Sequence, residues 1–222
     1  KLYEKAKKTT KSRQKEGLPR IALLEKILPT LEEGLSVRTL SLNEEEQKLL
    51  KGFQLLTIKP VLYVANVSED GFENNPHLNS IFESAKKEQS QVVAISADIE
   101  ADISELDINE KKEFLSEIGQ TESGLDRLVN AGYDLLGLQT FFTAGPQEVR
   151  AWTVSIGDSA PQAAGKIHGD FEKGFIRAET ISFEDFILHS GEKGAKEAGK
   201  LRAEGKEYIV QDGDVFHFLF NV

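Results

Sequence analysis

Two short apolar segments in the middle of the chain constrain the fold more than any other feature. Residues 58–65 and 91–96 are apolar, rich in β-favouring side chains, and show no polar alternation, which predicts strands buried on both faces. Helices are predicted over residues 76–88, 109–118 and 124–136. A strand, a helix, a second strand and further helices in this order indicate a parallel α/β sheet.

Two strands are too few for a complete sheet, and we therefore expect further strands upstream of Lys1. The chain contains no methionine and begins within a charged, helix-favouring run, which favours a fragment of a longer protein. It also contains no cysteine. Disulfides, thiolate metal sites and a cysteine nucleophile are thereby excluded.

The N-terminal residues have the pattern of a helical hairpin. We predict one helix from an apolar stripe and a second helix from Ser41, with Glu44 completing a capping box. Pro29 should kink or end the first helix, and Gly34 can cap its C-terminus. The stripe consists of Ile21, Leu24, Leu28, Leu31 and Leu35, and the second helix presents Leu49, Phe53 and Leu56. The sequence thus predicts a helical, coiled-coil-like arm over residues 1–56.

The C-terminal third has a different pattern, with many strands around one main helix. Strands are predicted over residues 141–143, 149–156, 176–182, 208–210 and 215–220, and helices over 161–171 and 192–204. Asp212, Gly213 and Asp214 form a hairpin-turn signal between the last two strands. The fold class is therefore α/β plus α+β, with a small β-grasp domain over residues 139–222 and the parallel sheet over residues 57–138.

The charge is distributed unevenly. The formal net charge is −10, but residues 1–20 carry +6 and residues 61–140 carry −11. The net charge excludes a histone-like chain that coats nucleic acid, and no apolar run is long enough to span a bilayer. We expect a cytoplasmic protein that binds neither DNA nor membrane. The basic N-terminus is either a solvated helix surface or an electrostatic contact with RNA or phosphate.

Candidate site residues follow the two predicted strands, where open α/β sheets bind ligands. Asn66 and Glu69 come directly after the first strand, and Ser96 and Ala97 end the second. An asparagine amide can read the N7 and N6 edge of adenine, and small residues allow backbone N–H groups to approach a planar base. The alternative is a turn in which Asn66 only caps the end of the strand.

These two motifs resemble the last two nucleotide-binding motifs of P-loop GTPases, an Asn-Lys-x-Asp and a Ser-Ala pair. Val67 stands in place of the lysine, and Glu69 in place of the aspartate that pairs with N1 and N2 of guanine. Because the longer glutamate moves the carboxylate, the guanine contact should fail and the pocket should accept adenine.

Longer runs of sequence resemble the Obg-like ATPase (YchF) family, and the resemblance covers the whole chain. In the middle of the chain they are Asn66-Val67-Ser68-Glu69, residues 71–76 and Ser96-Ala97. Residues 142–146, 148–153, 160–168, 170–176, 208–210 and 212–214 resemble the TGS domain at the C-terminus of that family.

The resemblance implies a ribosome-associated protein that binds ATP, with GTP weaker, and uses Mg²⁺ in its full-length form. Asn66 would hold the adenine edge, Val67 would contact the base, and Ser96 and Ala97 would close the pocket beside Glu69. Expected partners are the large ribosomal subunit or RNA. No Gly-x-x-x-x-Gly-Lys-Ser/Thr is present, so the Mg²⁺ ligands and catalytic residues are not expected in this chain. The parent protein would hydrolyse ATP, and this chain alone would not.

A second hypothesis is a ribosome- or RNA-binding module with no nucleotide role. Basic residues near aromatic ones suit RNA contact. The alternative is that Trp152 and Phe175 are core residues and the basic side chains are solvated. The basic residues are Lys166, His168, Lys173 and Arg177. The four histidines have no metal-ligand spacing, and no metal site is expected.

Overall fold

The computed structural model describes residues 18–221, which divide into two compact units at Ala131 and Gly132. Both units combine helices with β-strands, in agreement with the predicted mixed α/β class. No helix among the described residues has the length and apolarity needed to span a membrane. The predicted domain boundaries at residues 56/57 and 138/139 remain predictions. The predicted basic arm lies largely outside the described residues.

The first unit begins with two helices and a small core. α1 (Leu18–Glu32) and α2 (Glu44–Lys51) are followed by a 3₁₀ turn at Leu56–Ile58. Gly34 ends α1 with a positive φ of 74°, and Leu35 donates to the carbonyl of Thr30 at 2.9 Å, as in a Schellman cap. The predicted role of Gly34 is therefore confirmed.

The buried face of α1 differs from the predicted stripe. Leu23, Leu24 and Ile27 are buried, whereas Leu31 and Leu35 are exposed. The burial is decided by the partners that α1 packs against, which are Val37, Leu50 and Phe53. The predicted capping box was also wrong, because Asn43 and Glu46 form it. These side chains satisfy backbone N–H groups that Ser41 lies too far upstream to reach.

A two-stranded parallel sheet and three helices follow in the first unit, and a fourth helix runs across the boundary at Ala131 and Gly132. β1 (Leu62–Asn66) pairs in parallel with β2 (Gln91–Ile95), and α3 (Pro76–Lys87) connects them. The strand prediction placed the start of β1 four residues too early, at Ile58, which is the last residue of the 3₁₀ turn. α4 (Ala97–Ser104), α5 (Ile108–Glu117) and α6 (Gly124–Leu136) follow. α4 was missed by the sequence patterns.

The second unit is a five-stranded sheet in the order β4-β3-β7-β5-β6. Its strands are β3 (Leu138–Ala144), β4 (Val149–Ser155), β5 (Phe175–Ser182), β6 (Arg202–Glu204) and β7 (Asp214–Phe220). Its short helices are α7 (Ala160–Ile167), α8 (Gly169–Lys173), α9 (Phe183–Leu188) and α10 (Glu192–Glu197). α7 packs on one face of this sheet, over Phe141, Val154, Ala178, Phe216 and Phe218.

Three predictions for the second unit were wrong. The helix predicted over residues 161–171 breaks at His168, whose extended backbone caps α8. The helix predicted over residues 192–204 ends at Glu197, and its last residues form β6. The predicted strand 208–210 makes only a single bridge, Ser159 to Ile209, so no terminal hairpin forms.

β7 takes its partners from distant strands instead. It pairs antiparallel with β5 and parallel with β3. The segment before β7 is held by the buried carboxylate of Asp214, which accepts hydrogen bonds from the Tyr208 hydroxyl at 2.8 Å and from the Gln211 amide at 2.9 Å. These bonds satisfy the buried polar groups of the loop without a strand ladder.

Candidate functional site

The parallel register of β1 and β2 brings the two predicted motifs together. Asn66 is the last residue of β1 and lies opposite Ile95, the last residue of β2. Ser96 and Ala97 therefore begin at the same edge of the sheet as Asn66. The ladder extends one step further, because Val67 donates its amide to the Ile95 carbonyl at 2.8 Å.

A hydrogen bond joins the two motifs directly. The side-chain Oδ1 of Asn66 accepts from the backbone N–H of Ala97 at 3.0 Å. The bond engages the Asn66 oxygen, while the Nδ2 group remains a donor at an exposed position. The Ala97 amide thus donates to Asn66 in this structure. This bond competes with the predicted approach of the Ala97 amide to a nucleotide base.

Ser96 has a structural role at this edge. Its side chain is 1% exposed and caps α4 by accepting from the Ile99 amide. Ser96 is the single residue between the end of β2 and the start of α4. Its cap therefore fixes the direction of the helix N-terminus relative to the strand. Ala97, the first residue of α4, is exposed.

The loop that carries Glu69 is held by short-range hydrogen bonds. Ser68 donates its hydroxyl to Asp70 at 2.8 Å, and the Gly71 amide donates to the Ser68 carbonyl at 2.9 Å. A Cβ on Gly71 would lie 2.9 Å from the Ser68 hydroxyl oxygen and 3.1 Å from the Ser68 backbone, so a larger residue would have to displace part of this tight turn. Asn75 donates to the Gly71 carbonyl at 3.0 Å and caps α3. Glu69 is exposed on this fixed loop.

A cavity of about 330 Å³ lies next to these motifs within the first unit. Glu69 and Ser96 contribute to its wall, together with residues that sequence reasoning missed. Glu100 of α4 accepts from the Gly124 amide of α6 at 2.6 Å. Arg127 donates to the Ala94 carbonyl of β2 at 3.2 Å and to Gln120 at 2.8 Å. The sequence did contain a signal for the missed helix α4. A serine N-cap followed by acidic residues in the first turn predicts a helix directly after residue 96.

The basic and aromatic residues of the second unit do not form one surface patch. Phe175 is buried in the core, which confirms the core interpretation for that residue. Trp152 is half-buried, packs against the same core, and donates its indole N–H to Thr143 at 2.9 Å. Its outer face carries the guanidinium of Arg150, 4.2 Å from the ring centroid, a residue that the sequence analysis did not select.

The basic residues selected from the sequence are exposed, and three of them, Lys166, His168 and Arg177, have local partners. Lys166 lies 4.0 Å from Asp158, and Arg177 lies 3.6 Å from Glu179. The ring of His168 accepts from the Asp170 amide at 3.2 Å and caps α8. In residues 18–221 there is no group of three acidic, histidine or cysteine side chains that could hold a metal ion. No step through Mg²⁺ is therefore assigned to these residues.

Comparisons with known proteins, rather than the two motifs, identify the class of this chain as GTPase-superfamily. Residues 138–221 match the family model YchF-GTPase_C, described as a protein of unknown function (DUF933). The chain is 59% identical over 218 residues to the ribosome-binding ATPase YchF of Escherichia coli O157:H7. It is 51% identical over 225 residues to the ribosome-binding ATPase YchF of Bacillus subtilis (strain 168).

A solved structure agrees with the sequence matches. The YchF GTPase of Schizosaccharomyces pombe superimposes with a TM-score of 0.81 at 29% identity, covering 98% of this chain and 62% of that one. The matches to the two bacterial relatives cover 98% and 100% of this chain. This homology places the chain in the YchF family. The chain spans about 60% of the length of these relatives.

Proposed function

We propose that this chain supplies the base-binding edge and the ribosome-contacting parts of an ATP-hydrolysing protein of the YchF family. Asn66, Val67, Glu69, Ser96 and Ala97 form the base site. The observation that supports it best is the bond between Asn66 Oδ1 and the Ala97 amide at 3.0 Å. It ties the two motifs into one unit at the carboxyl edge of a parallel sheet, where such sheets bind ligands.

The proposed preference for adenine over guanine rests on Glu69, because the donor of Asn66 suits N7 of either purine. Since Asn66 uses its oxygen internally, its Nδ2 is the group left to donate, and N7 of a purine is an acceptor. Guanine also requires an acceptor for N1 and N2, the role of an aspartate at position 69. The side chain of Glu69 is one methylene longer than that of aspartate, and it projects from a loop held by Ser68 and Gly71. Its carboxylate therefore lies beyond the position that an aspartate carboxylate would occupy. ATP is the proposed nucleotide, and GTP binds more weakly.

The residues of the base site do not supply the groups that act on the nucleotide phosphates. Hydrolysis in this superfamily depends on a glycine-rich phosphate loop with its lysine and on Mg²⁺, which neutralises charge on the phosphates. The sequence contains no such motif. The chain therefore binds and orients the base, and the 222-residue chain alone does not hydrolyse ATP.

A nucleoside titration of the full 222-residue chain, followed by NMR, tests the base site. Adenosine should shift the Asn66 side-chain amide and the Ala97 backbone amide more than guanosine at equal concentration. Glu69→Asp should move the preference towards guanosine, and Glu73→Asp, on the neighbouring exposed loop, is the matched control. A guanosine preference in the unaltered chain would contradict the adenine assignment.

The proposed partner is the ribosome, by its large subunit or by RNA, in the cytoplasm, with neither DNA nor membrane involved. The relatives are named ribosome-binding ATPases. The N-terminal helical arm and the C-terminal unit, which we assign as a β-grasp TGS domain, are the contact regions. Basic residues upstream of Leu18 support the arm, and the exposed Arg150 stacked on the half-buried Trp152 supports the C-terminal unit.

A second candidate function is a ribosome- or RNA-binding module with no nucleotide role, which the Arg150–Trp152 pair favours. Co-sedimentation with ribosomes over a salt series discriminates between contact regions. Glu in place of Lys5, Lys7, Lys8, Lys11 and Lys15 should reduce retention if the arm makes the contact. If the lysine variant is retained as before and the Arg150→Glu variant loses ribosome retention, the contact would be assigned to the C-terminal unit. Ribosome retention without any adenosine response would favour this second function.

A further inference from the structure

The cavity beside the base site has a chemistry of its own. Its lining includes Glu69 and Ser96 but not Asn66, Val67 or Ala97, so it is a neighbouring compartment of the proposed base site. Its volume, about 330 Å³, is at the lower end of the range of small-molecule pockets. The cavity is therefore large enough for a compact organic ligand.

The floor of the cavity is apolar. It belongs to a small hydrophobic cluster around the buried residues Ile99, Ile103 and Leu115. Phe72 and Phe114 pack against the same cluster, and Ile118 completes the wall with 39% exposure. Two aromatic rings and three branched aliphatic side chains thus face the cavity, a surface suited to an apolar or aromatic body.

The rim of the cavity is acidic. Its four carboxylates are Glu69, Asp70, Glu100 and Glu122. Arg127 is the one cation among the lining residues, and its guanidinium is committed to the carbonyls of Ala94 and Glu122 and to Gln120. The carboxylates would repel an anionic ligand, and a neutral ligand would gain no electrostatic attraction from them. The complementary ligand carries a positive charge.

We propose that this cavity binds a small organic cation, with its apolar body on the floor formed by Phe72, Ile99 and Phe114 and its ammonium group at the acidic rim. The site goes beyond nucleotide and ribosome binding. Since its wall includes Glu69 and Ser96, an occupant touches the same loop and helix start that carry the base-site residues.

A matched pair of probes tests the charge requirement. Naphthylethylamine and naphthylethanol share an aromatic body that fits the cavity and differ in the charge of the end group. In NMR titrations of the full chain, the amine should bind saturably and about fivefold more tightly than the alcohol, the size expected for partly exposed charge pairs. The shifted resonances should be those of Ile99, Phe114 and Ile118. Equal affinity of the two probes, or no binding of the amine, overturns the proposal.

Variants locate the site independently. Ile118→Trp fills the cavity from its wall and should abolish binding of the amine, whereas Glu113→Gln on the exposed face of α5 should leave it unchanged. Glu69→Gln, at an exposed loop position, should weaken binding of the amine and leave the alcohol unaffected, although three of the four carboxylates remain. Full amine affinity in either Ile118→Trp or Glu69→Gln overturns the proposal.

Discussion

The two polar atoms of the Asn66 side chain are suited to different roles, one observed and one proposed. Its Oδ1 accepts from Ala97 and holds the strand ends together, and its Nδ2 is the donor left for a ligand. The sequence patterns offered strand capping and base reading as alternatives. The structure contains the capping bond to Ala97, and the same side chain retains a donor, so the two interpretations are compatible.

Asn66→Asp separates these functions, because aspartate keeps the acceptor and loses the donor. We expect adenosine affinity to fall about tenfold, the effect of losing a hydrogen bond and exposing N7 to a carboxylate. The backbone resonance of Ala97 should remain close to its position in the unaltered chain. NMR titration measures both quantities, and Asn79→Asp on the exposed surface of α3 is the control. Unchanged adenosine affinity in Asn66→Asp would remove Asn66 from the site.

At the scale of elements, a charged contact joins the N-terminal helical segment to the parallel sheet. Arg38, in the 3₁₀ turn Val37–Thr39, donates to Glu88, the C-cap residue of α3. Glu88 also accepts from the Tyr63 hydroxyl of β1 at 3.2 Å. The hydrogen bond from Arg38 lowers the pKa of Glu88, and the bond to Glu88 raises the pKa of Tyr63.

A double-mutant cycle on Arg38→Met and Glu88→Gln should detect this contact as a favourable coupling in the unfolding free energy. Because the pKa of Glu88 is lowered, its contribution is present above the ordinary value of 4.5 and is lost as pH falls through the folded-state pKa. The coupling should therefore be larger at neutral pH than in acid. Lys86→Met, at the same end of α3, controls for charge. A coupling that does not decrease in acid would show that the Glu88 carboxylate is not its source.

A backbone contact fixes the junction between α8, β5 and the chain end. The amide of Asn221 donates to the Gly174 carbonyl at 2.9 Å, and a Cβ on Gly174 would lie 2.0 Å from the Asn221 carbonyl oxygen. That overlap is with backbone, which cannot rotate away as a flexible side chain can.

Gly174→Ala should therefore destabilise the C-terminal unit by about 1–3 kcal/mol. Gly205→Ala is the matched control, because a Cβ there has no neighbour within 4 Å and φ is not positive. Urea unfolding followed by Trp152 fluorescence measures both variants. Equal stability of the two would mean that the chain end moves without cost.

At the scale of the whole molecule, the two units have separate hydrophobic cores. Core residues of the second unit, among them Phe141, Val154 and Phe216, all come from residues after Gly132. A five-stranded sheet with a packed helix is sufficient for independent stability.

Residues 132–222 expressed alone should thus fold cooperatively. Trp152 is the single tryptophan of the chain and packs on this core, so its fluorescence reports on this unit alone. We expect emission of a half-buried indole and a single unfolding transition in urea. Emission of a fully solvated indole without a transition would show that the core needs the rest of the chain.

The sequence by itself determined the features that a few neighbouring residues encode. The existence of the two parallel strands, the limits of α6, the cap at Gly34 and the positions of the Asn66 and Ser96 motifs all follow from local periodicity and capping chemistry. The predicted base-site residues were therefore available before any contact was known. The predicted burial of both strands on both faces was wrong, because within them only Ala65 and Val93 are buried.

Only the tertiary structure decided which distant residues meet. β7 pairs with β3 and β5 rather than with residues 208–210, and α1 buries Leu23 and Ile27 rather than Leu31 and Leu35. The Asn66–Ala97 bond and the cavity bounded by α4, α5 and α6 likewise join residues far apart in the chain. Burial and strand pairing depend on the surface that a partner presents, and no local pattern contains the partner.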